Sequence, residues 1–282
     1  MGVFPDKLAI AKVCPIFKNG DKCQFTNYRP ISVLPSFSKI FEKVVCNRLI
    51  AFFESKNILV DNQFGFRKNR SAYMAILEMY DRISLAIDNR EYAIGIFIDL
   101  SKAFDTINHS IMIRKLEYYG IRGIALDWFN SYVKSRQQYI FLNGVSSSLR
   151  PINCGVPQGS ILGPMLLILY VNDIVNCSNI LKFILFADDT NLFCKNRDLL
   201  ELERVVNVKL SESVWFKANK LSLDAKKTHF IIFIFKNIST SLKLILDCAI
   251  LEQVAYAKFL GVFMDEKLNW NQHMPKTKLE PT

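Results

Sequence analysis

Two adjacent aspartates set between apolar runs constrain this chain more than any other feature. Leu181-Lys182-Phe183-Ile184-Leu185-Phe186 leads into Ala187-Asp188-Asp189, and Thr190-Asn191-Leu192-Phe193 leads out. Short apolar runs around a polar tip predict a buried β-hairpin. Neighbouring side chains on a strand point to opposite faces, so only a turn lets both aspartates project the same way. Two carboxylates about 4 Å apart repel by roughly 4 kcal/mol at an effective dielectric of about 20. A bound cation relieves that repulsion, and Mg²⁺ takes oxygen ligands. Taken alone, the pair reads first as ordinary turn residues, since Asp suits turns. Other motifs must decide.

Bulk properties narrow the classes. The 282 residues are half hydrophobic, enough for a sizeable core in one large or two smaller domains, which excludes a disordered chain. A net charge of +10 favours a polyanionic partner, nucleic acid before membrane. Seven scattered cysteines without a Cys-x-x-Cys pair read as reduced thiols of an intracellular protein. His109, His229 and His273 lie far apart, so no zinc site is visible. Asp6 and Lys7 stand where a signal peptide needs an apolar run, and the longest apolar stretch, Met165 to Val171, is too short for a membrane span.

Along the chain, Leu8 to Phe17 reads as strand and Lys18-Asn19-Gly20-Asp21 as a turn. Ser36 to Lys56 has helical periodicity, with Phe37, Ile40, Phe41, Val44, Val45, Leu49, Phe52 and Phe53 as one apolar stripe expected to face the core. Further helices are expected over Ala72 to Asn89, Ser110 to Tyr119, Ile124 to Ser135, Ile161 to Asn172 and Leu199 to Asn219. Strands are expected over Tyr92 to Leu100, Tyr139 to Asn143, Ser148 to Asn153, Leu221 to Leu223, Phe230 to Phe235, Leu242 to Leu246 and Phe259 to Met264.

A third carboxylate, Asp99, closes the apolar run Ile94-Gly95-Ile96-Phe97-Ile98. A charge at the end of a buried strand is costly unless paired or cation-bound, although capping the next turn also explains it. Asp105 is expected to cap or to lie on the surface. Asp99, Asp188 and Asp189 together could hold two divalent ions, which clamp the attacking and leaving oxygens of a phosphoryl transfer. Arg67, Lys68 and Arg70 lie in a loop beside Gly65, where backbone can approach a triphosphate; a solvated basic turn is the alternative. Gly155-Val156-Pro157-Gln158-Gly159 is a second loop open to a ligand, or a plain Pro/Gly turn.

These residues fall in a recognisable order. Asn27-Tyr28-Arg29-Pro30-Ile31-Ser32, Gly65-Phe66-Arg67, Asp99-Leu100-Ser101-Lys102-Ala103-Phe104-Asp105, Gly155-Val156-Pro157-Gln158-Gly159-Ser160-Ile161-Leu162-Gly163-Pro164, Tyr170-Val171-Asn172-Asp173 and Phe186-Ala187-Asp188-Asp189 resemble the reverse transcriptase domain of non-LTR (LINE-type) retrotransposons. The likeness runs from about Pro5 to Trp270. It implies an α+β right-hand polymerase, with fingers over 1–90 and a palm over 91–250, to whose junction about 110–155 contribute. The palm would be an antiparallel sheet backed by helices, followed over 251–282 by a primer-grip hairpin and a truncated tail.

The resemblance also assigns roles. Asp99, Asp188 and Asp189 become the metal-binding catalytic residues, with two Mg²⁺ as cofactors and Mn²⁺ as the substitute. Arg67 and Arg70 become triphosphate contacts, and Gln158 and Gly159 meet the templating pair or incoming nucleotide. Lys227, in Leu223-Asp224-Ala225-Lys226-Lys227-Thr228, becomes a proton donor to pyrophosphate. Phe104 becomes the ring that closes against the sugar 2′ position, where RNA polymerases of the same palm type tend to place Asp. The implied partners are an RNA template, a DNA primer and dNTPs, without a membrane. For an intact element the implied location is the nucleus or a cytoplasmic ribonucleoprotein.

The chain departs from the family at Asp224, where Asn is usual. No endonuclease region is recognised, the thumb is expected to be largely missing, and the segment from Met274 to Thr282 does not resemble the family. The alternative expectation is therefore a truncated, catalytically weak copy acting only as a nucleic-acid-binding fragment.

Overall fold

The computed structural model describes residues 2–212, 214–224, 227–234, 241–246 and 249–269. It divides into two compact units, Met1–Leu59 with Lys102–Val171, and Val60–Ser101 with Asn172–Thr282. The units interleave along the sequence.

The second unit is built on a sheet of five strands in the order Glu252–Gln253, His229–Phe233, Tyr92–Ile98, Asp189–Asn196, Lys182–Phe186. Tyr92–Ile98 runs antiparallel to both neighbours, and the short Glu252–Gln253 pairs in parallel at the edge. The near-continuous apolar sequence of Tyr92–Ile98 fits a strand covered on both faces. Ala93 and Phe97 join a core with Phe193, Ile231, Phe233 and the buried residues Ala75, Met79, Ile83 and Ala86 of helix Ala72–Asp88. That helix starts where Ser71 Oγ accepts the Met74 N–H at 3.3 Å. Ile94, Ile96 and Ile98 alternate onto the other face. Helix Leu199–Glu212 packs on the strands Tyr92–Ile98 and Asp189–Asn196, burying Leu202, Val206 and Leu210. The expected antiparallel sheet backed by helices is thus present.

Several boundaries differ from expectation. The helix over Leu199 to Asn219 is two helices, Leu199–Glu212 and Trp215–Ala218, with Ser213 outside the described residues. Trp215 Nε1 donates to Asp173 Oδ1 at 3.2 Å, a tertiary bond that the helical periodicity does not record. Leu221 to Leu223 makes only a bridge, between Leu223 and Leu100. The last strand is a hairpin of Tyr256–Phe259 and Val262–Asp265. Phe235, at the end of another expected strand, lies outside the described residues, as do Ala225, Lys226 and Met274 to Thr282.

In the first unit, Ile10–Phe17 pairs antiparallel with Tyr28–Val33 and in parallel with Gln137–Leu142. Gln137–Leu142 also receives Val145–Ser146 and Arg150–Pro151. Helices Ser36–Ser55, His109–Tyr118, Ile124–Lys134 and the buried Leu162–Tyr170 complete the unit.

The apolar stripe of helix Ser36–Ser55 is corrected. Phe37, Ile40, Phe41 and Val44 are exposed, at 69, 59, 48 and 50%. The buried face keeps Leu49 and Phe53 of that stripe and takes Ser38, Glu42 and Cys46 in place of the exposed row. The cause is a buried ion pair. Glu42 Oε1 lies 3.3 Å from Arg136 Nη2 and 3.1 Å from Ser38 Oγ, and Glu42 Oε2 accepts the Ile161 N–H at 2.7 Å. A carboxylate with partners of that strength holds Ser38 and Glu42 inward, and the apolar row of the first turns faces out. No helix among the described residues is long and apolar enough to cross a membrane.

Candidate active site

The aspartate turn is shaped by its neighbours. Phe186 and Asp189 face each other across the hairpin, leaving Ala187 and Asp188 as turn residues. Ala187 sits at φ +57° while Asp188 keeps a negative φ, so the alanine takes the strained corner of the turn. A left-handed alanine costs roughly 1–2 kcal/mol, so the turn is held from outside. Gln63 lies against it. Its Oε1 accepts the Ala187 N–H at 3.0 Å and the Gly65 N–H at 2.8 Å, and its Nε2 donates to the Ala187 carbonyl at 3.4 Å. The backbone continues the contact: Leu185 N–H donates to Asn62 O at 2.9 Å and Phe64 N–H to Leu185 O at 2.8 Å. A Cβ at Gly65 would stand 2.9 Å from Ala187 Cα, so only glycine permits this approach.

Asp99 follows the strand Tyr92–Ile98, whose residue Ile98 faces Thr190. The next antiparallel pair brings Asp99 opposite Asp189, so three carboxylates meet at one end of the sheet. Burial raises the Asp188 carboxyl, its own backbone N–H pulls it down, and the Asp99 charge raises it again. Asp189 is pushed up to about 6 by burial first, then by the Asp188 and Asp99 charges. The residue's surface nonetheless reaches solvent.

Lys227 stands beside them. Its Nζ is 2.5 Å from Asp224 Oδ2 and 3.7 Å from Asp99 Oδ2. The Asp224 bond first, and the Asp99 charge after it, raise the Lys227 pKa. Asp224 is itself tied in, its N–H donating to Asp99 O at 3.0 Å. The unusual Asp at this position thus acts as the carboxylate partner of Lys227.

A divalent cation suits this donor set, because carboxylate oxygens are hard ligands and their mutual repulsion is relieved by a hard positive charge. Among the described residues no three such groups are gathered closely enough to hold an ion as they stand. Asp99 instead shares its charge with Lys227.

The two loop arginines are engaged. Arg67 Nη1 donates to Val60 O at 2.6 Å, and Arg70 Nη2 pairs with Asp61 Oδ1 at 2.8 Å over the Phe64 ring. Phe104, Gln158 and Gly159 belong to the first unit. Gln158 Nε2 donates to Asp105 Oδ1 at 3.0 Å, while its carbonyl accepts the Ser32 N–H at 2.7 Å. Gly159 has φ +120°, and a Cβ there would meet Ser32 O at 2.5 Å. Half-buried Phe104 bonds through its backbone, its carbonyl accepting the Val156 N–H at 2.7 Å.

Sequence reasoning passed over three residues. Asp105, expected as a cap or surface group, is half-buried and fixes Gln158; burial raises its pKa against the opposing Gln158 bond. Glu42 anchors the end of the Pro157–Ile161 loop. Gln63 sits inside a stretch read only as polar loop. The one signal for it was a polar residue two positions before a glycine that must approach backbone.

A sheet of this topology, with a two-aspartate turn beside a third strand-end aspartate, defines the palm of a template-copying polymerase. The fold agrees with solved structures. Apo telomerase from Candida tropicalis, truncated from its C-terminal domain, superposes with TM-score 0.63 at 14% identity over 95% of this chain and 55% of that one. Telomerase from Candida albicans in complex with a telomeric RNA fragment gives 0.63 at 15% over 93% and 47%. More narrowly, the family described as reverse transcriptase (RNA-dependent DNA polymerase) matches residues 16–264, and the chain belongs to it. The probable RNA-directed DNA polymerase from transposon BS of Drosophila melanogaster is 32% identical over 97% of this chain and 31% of its own length. The RNA-directed DNA polymerase from mobile element jockey of the same organism is 28% identical over 97% and 31%. The resemblance to non-LTR retrotransposon enzymes is borne out, and the chain spans about a third of these relatives. Reverse transcriptases as a family use divalent metal ions.

Proposed function

We propose that this chain carries the nucleotidyl-transfer centre of an RNA-directed DNA polymerase, extending a DNA primer on an RNA template with dNTPs. The observation that carries the reading is the Asp188–Asp189 turn at the sheet end shared with Asp99. These three carboxylates would hold two Mg²⁺ ions, or Mn²⁺ in their place, which when bound neutralise charge on the triphosphate and activate the primer hydroxyl. The chain's own groups do the rest. Lys227, already a hydrogen-bonding ammonium, protonates the leaving pyrophosphate. Arg67, released from Val60 O, and Arg70 balance the triphosphate, and Gln158 and Gly159 meet the incoming nucleotide. Phe104, five residues along from Asp99, reads the sugar, since a ribose hydroxyl left unpaired against a ring costs roughly 1–3 kcal/mol. The net charge of +10 supports phosphate-backbone binding, and hence a steep salt dependence.

Primer extension by the chain, with an RNA template, dNTPs and Mg²⁺, tests this. Elongated products that vanish with EDTA support it. Salt-sensitive template–primer binding with no extension would favour the second reading, a binding fragment, which the basic charge also supports.

A further inference from the structure

We infer that Gln63 is a positioning residue of this centre, its carboxamide fixing the backbone of the aspartate turn so that Asp188 and Asp189 stand together. The inference rests on the functional reading of those aspartates given above. Gln63 is fully buried, and a buried amide persists only when satisfied. It is satisfied almost entirely by the turn and its approach: both N–H groups that its Oε1 accepts, and the carbonyl that its Nε2 reaches, belong to Ala187 and Gly65. The segment pairs with the hairpin strand through a parallel bridge between Gln63 and Leu185. Past Leu185 the Gln63 side chain takes over from these backbone bonds. The carboxamide carries the pairing on to the left-handed Ala187, the residue whose φ decides where the next two side chains point.

The chemistry of the residue matters as much as its reach. A carboxamide supplies acceptor and donor without charge. Glutamate would add a fourth carboxylate beside three aspartates that already repel one another. Lysine or arginine would compete with a divalent cation for the same aspartates. Leucine fills the volume and leaves two N–H groups unmatched. Glutamine alone among these holds the turn while leaving its charge for a ligand.

The test compares the full wild-type chain with Gln63→Leu, Gln63→Asn and a control, Asn62→Ala. Asn62 donates from Nδ2 to Phe183 O at 2.9 Å, so the control removes a side-chain bond of the same segment away from the turn. Three quantities are measured: melting temperature, Mn²⁺ affinity of the metal-free protein by water-proton relaxation, and primer-extension kcat and dNTP KM across Mg²⁺ concentration. Both Gln63 variants are expected to weaken Mn²⁺ binding and lower kcat by about 10–100-fold, with dNTP KM moved less than about threefold. Asn62→Ala is expected to lower the melting temperature comparably while leaving Mn²⁺ affinity and kcat within about threefold. If Gln63→Leu does not fold, Gln63→Asn decides, since it keeps the buried amide one methylene short. Gln63 variants that lose Mn²⁺ affinity and kcat no more than Asn62→Ala overturn the inference. A wild-type chain that binds Mn²⁺ without extending primer overturns the polymerase reading alone, and the Mn²⁺ comparison still judges Gln63. A wild-type chain that does neither overturns both.

Discussion

Two polar loops, one in each unit, are held by opposite means. The aspartate turn of the second unit rests on a neutral carboxamide, Gln63, and on backbone bonds. The Pro157–Ile161 loop of the first unit rests on charge. Fully buried Glu42 accepts the Ile161 N–H and pairs with Arg136, while Asp105 holds Gln158. Arg136 stacks 4.0 Å from the Tyr132 ring centroid, and burial raises the nearby Tyr132 hydroxyl pKa. The difference follows from what each loop presents. A turn that offers two carboxylates cannot be braced by further charge without changing their pKa values. A loop that offers an amide and backbone can be braced by an ion pair, because nothing it presents titrates.

The largest expected effect separates the two devices in stability. Glu42→Ala strands a buried guanidinium, and losing one partner of a buried pair costs about 3–5 kcal/mol. Urea unfolding should register that loss. Gln63→Leu, which leaves neutral N–H groups unmatched, should cost about 1–3 kcal/mol. Equal losses would mean that the ion pair is not what holds its loop.

A smaller effect concerns pH. Asp189 is raised to about 6, so between roughly pH 4 and that value the folded state keeps a proton that the unfolded chain has lost. Stability of the metal-free protein should therefore fall as pH rises through this window, and level off above it. Asp189→Asn should flatten the fall, and saturating Mg²⁺ should oppose it, because the cation replaces the proton. An unchanged profile in the variant would remove the carboxylate cluster as its cause.

The smallest effect sharpens the role of Lys227. Asp224 raises the Lys227 pKa by its hydrogen bond, ahead of Asp99. Asp224→Asn, the residue usual in the family, should lower that pKa and move the alkaline limb of the extension profile to lower pH. A limb that stays in place would mean that another group titrates there.

The hairpin, the flanking helices and the strand ending at Asp99 were legible in the sequence because each is specified within about ten residues by periodicity and turn chemistry. Long-range pairing was not. The buried face in the first half of helix Ser36–Ser55 depends on Arg136 and Ile161, so its periodicity pointed to the wrong row there and to the right residues, Leu49 and Phe53, further on. Asp105 resembled a cap until Gln158, 53 residues on, was seen to use it. Gln63 resembled loop because its partner lies 124 residues away. The motif order supplied the family; the supports beneath the motifs came only from the folded chain.

The central claim is that the three carboxylates serve a divalent ion and a reacting phosphate rather than the stability of the fold. Its most direct test is Asp188→Ala, measured for primer extension and for melting temperature without metal. Loss of a ligand predicts that extension disappears, while removal of a mutually repelling carboxylate leaves the melting temperature unchanged or raises it. Near-normal extension by the variant, or a lost melting transition in its place, would contradict the account.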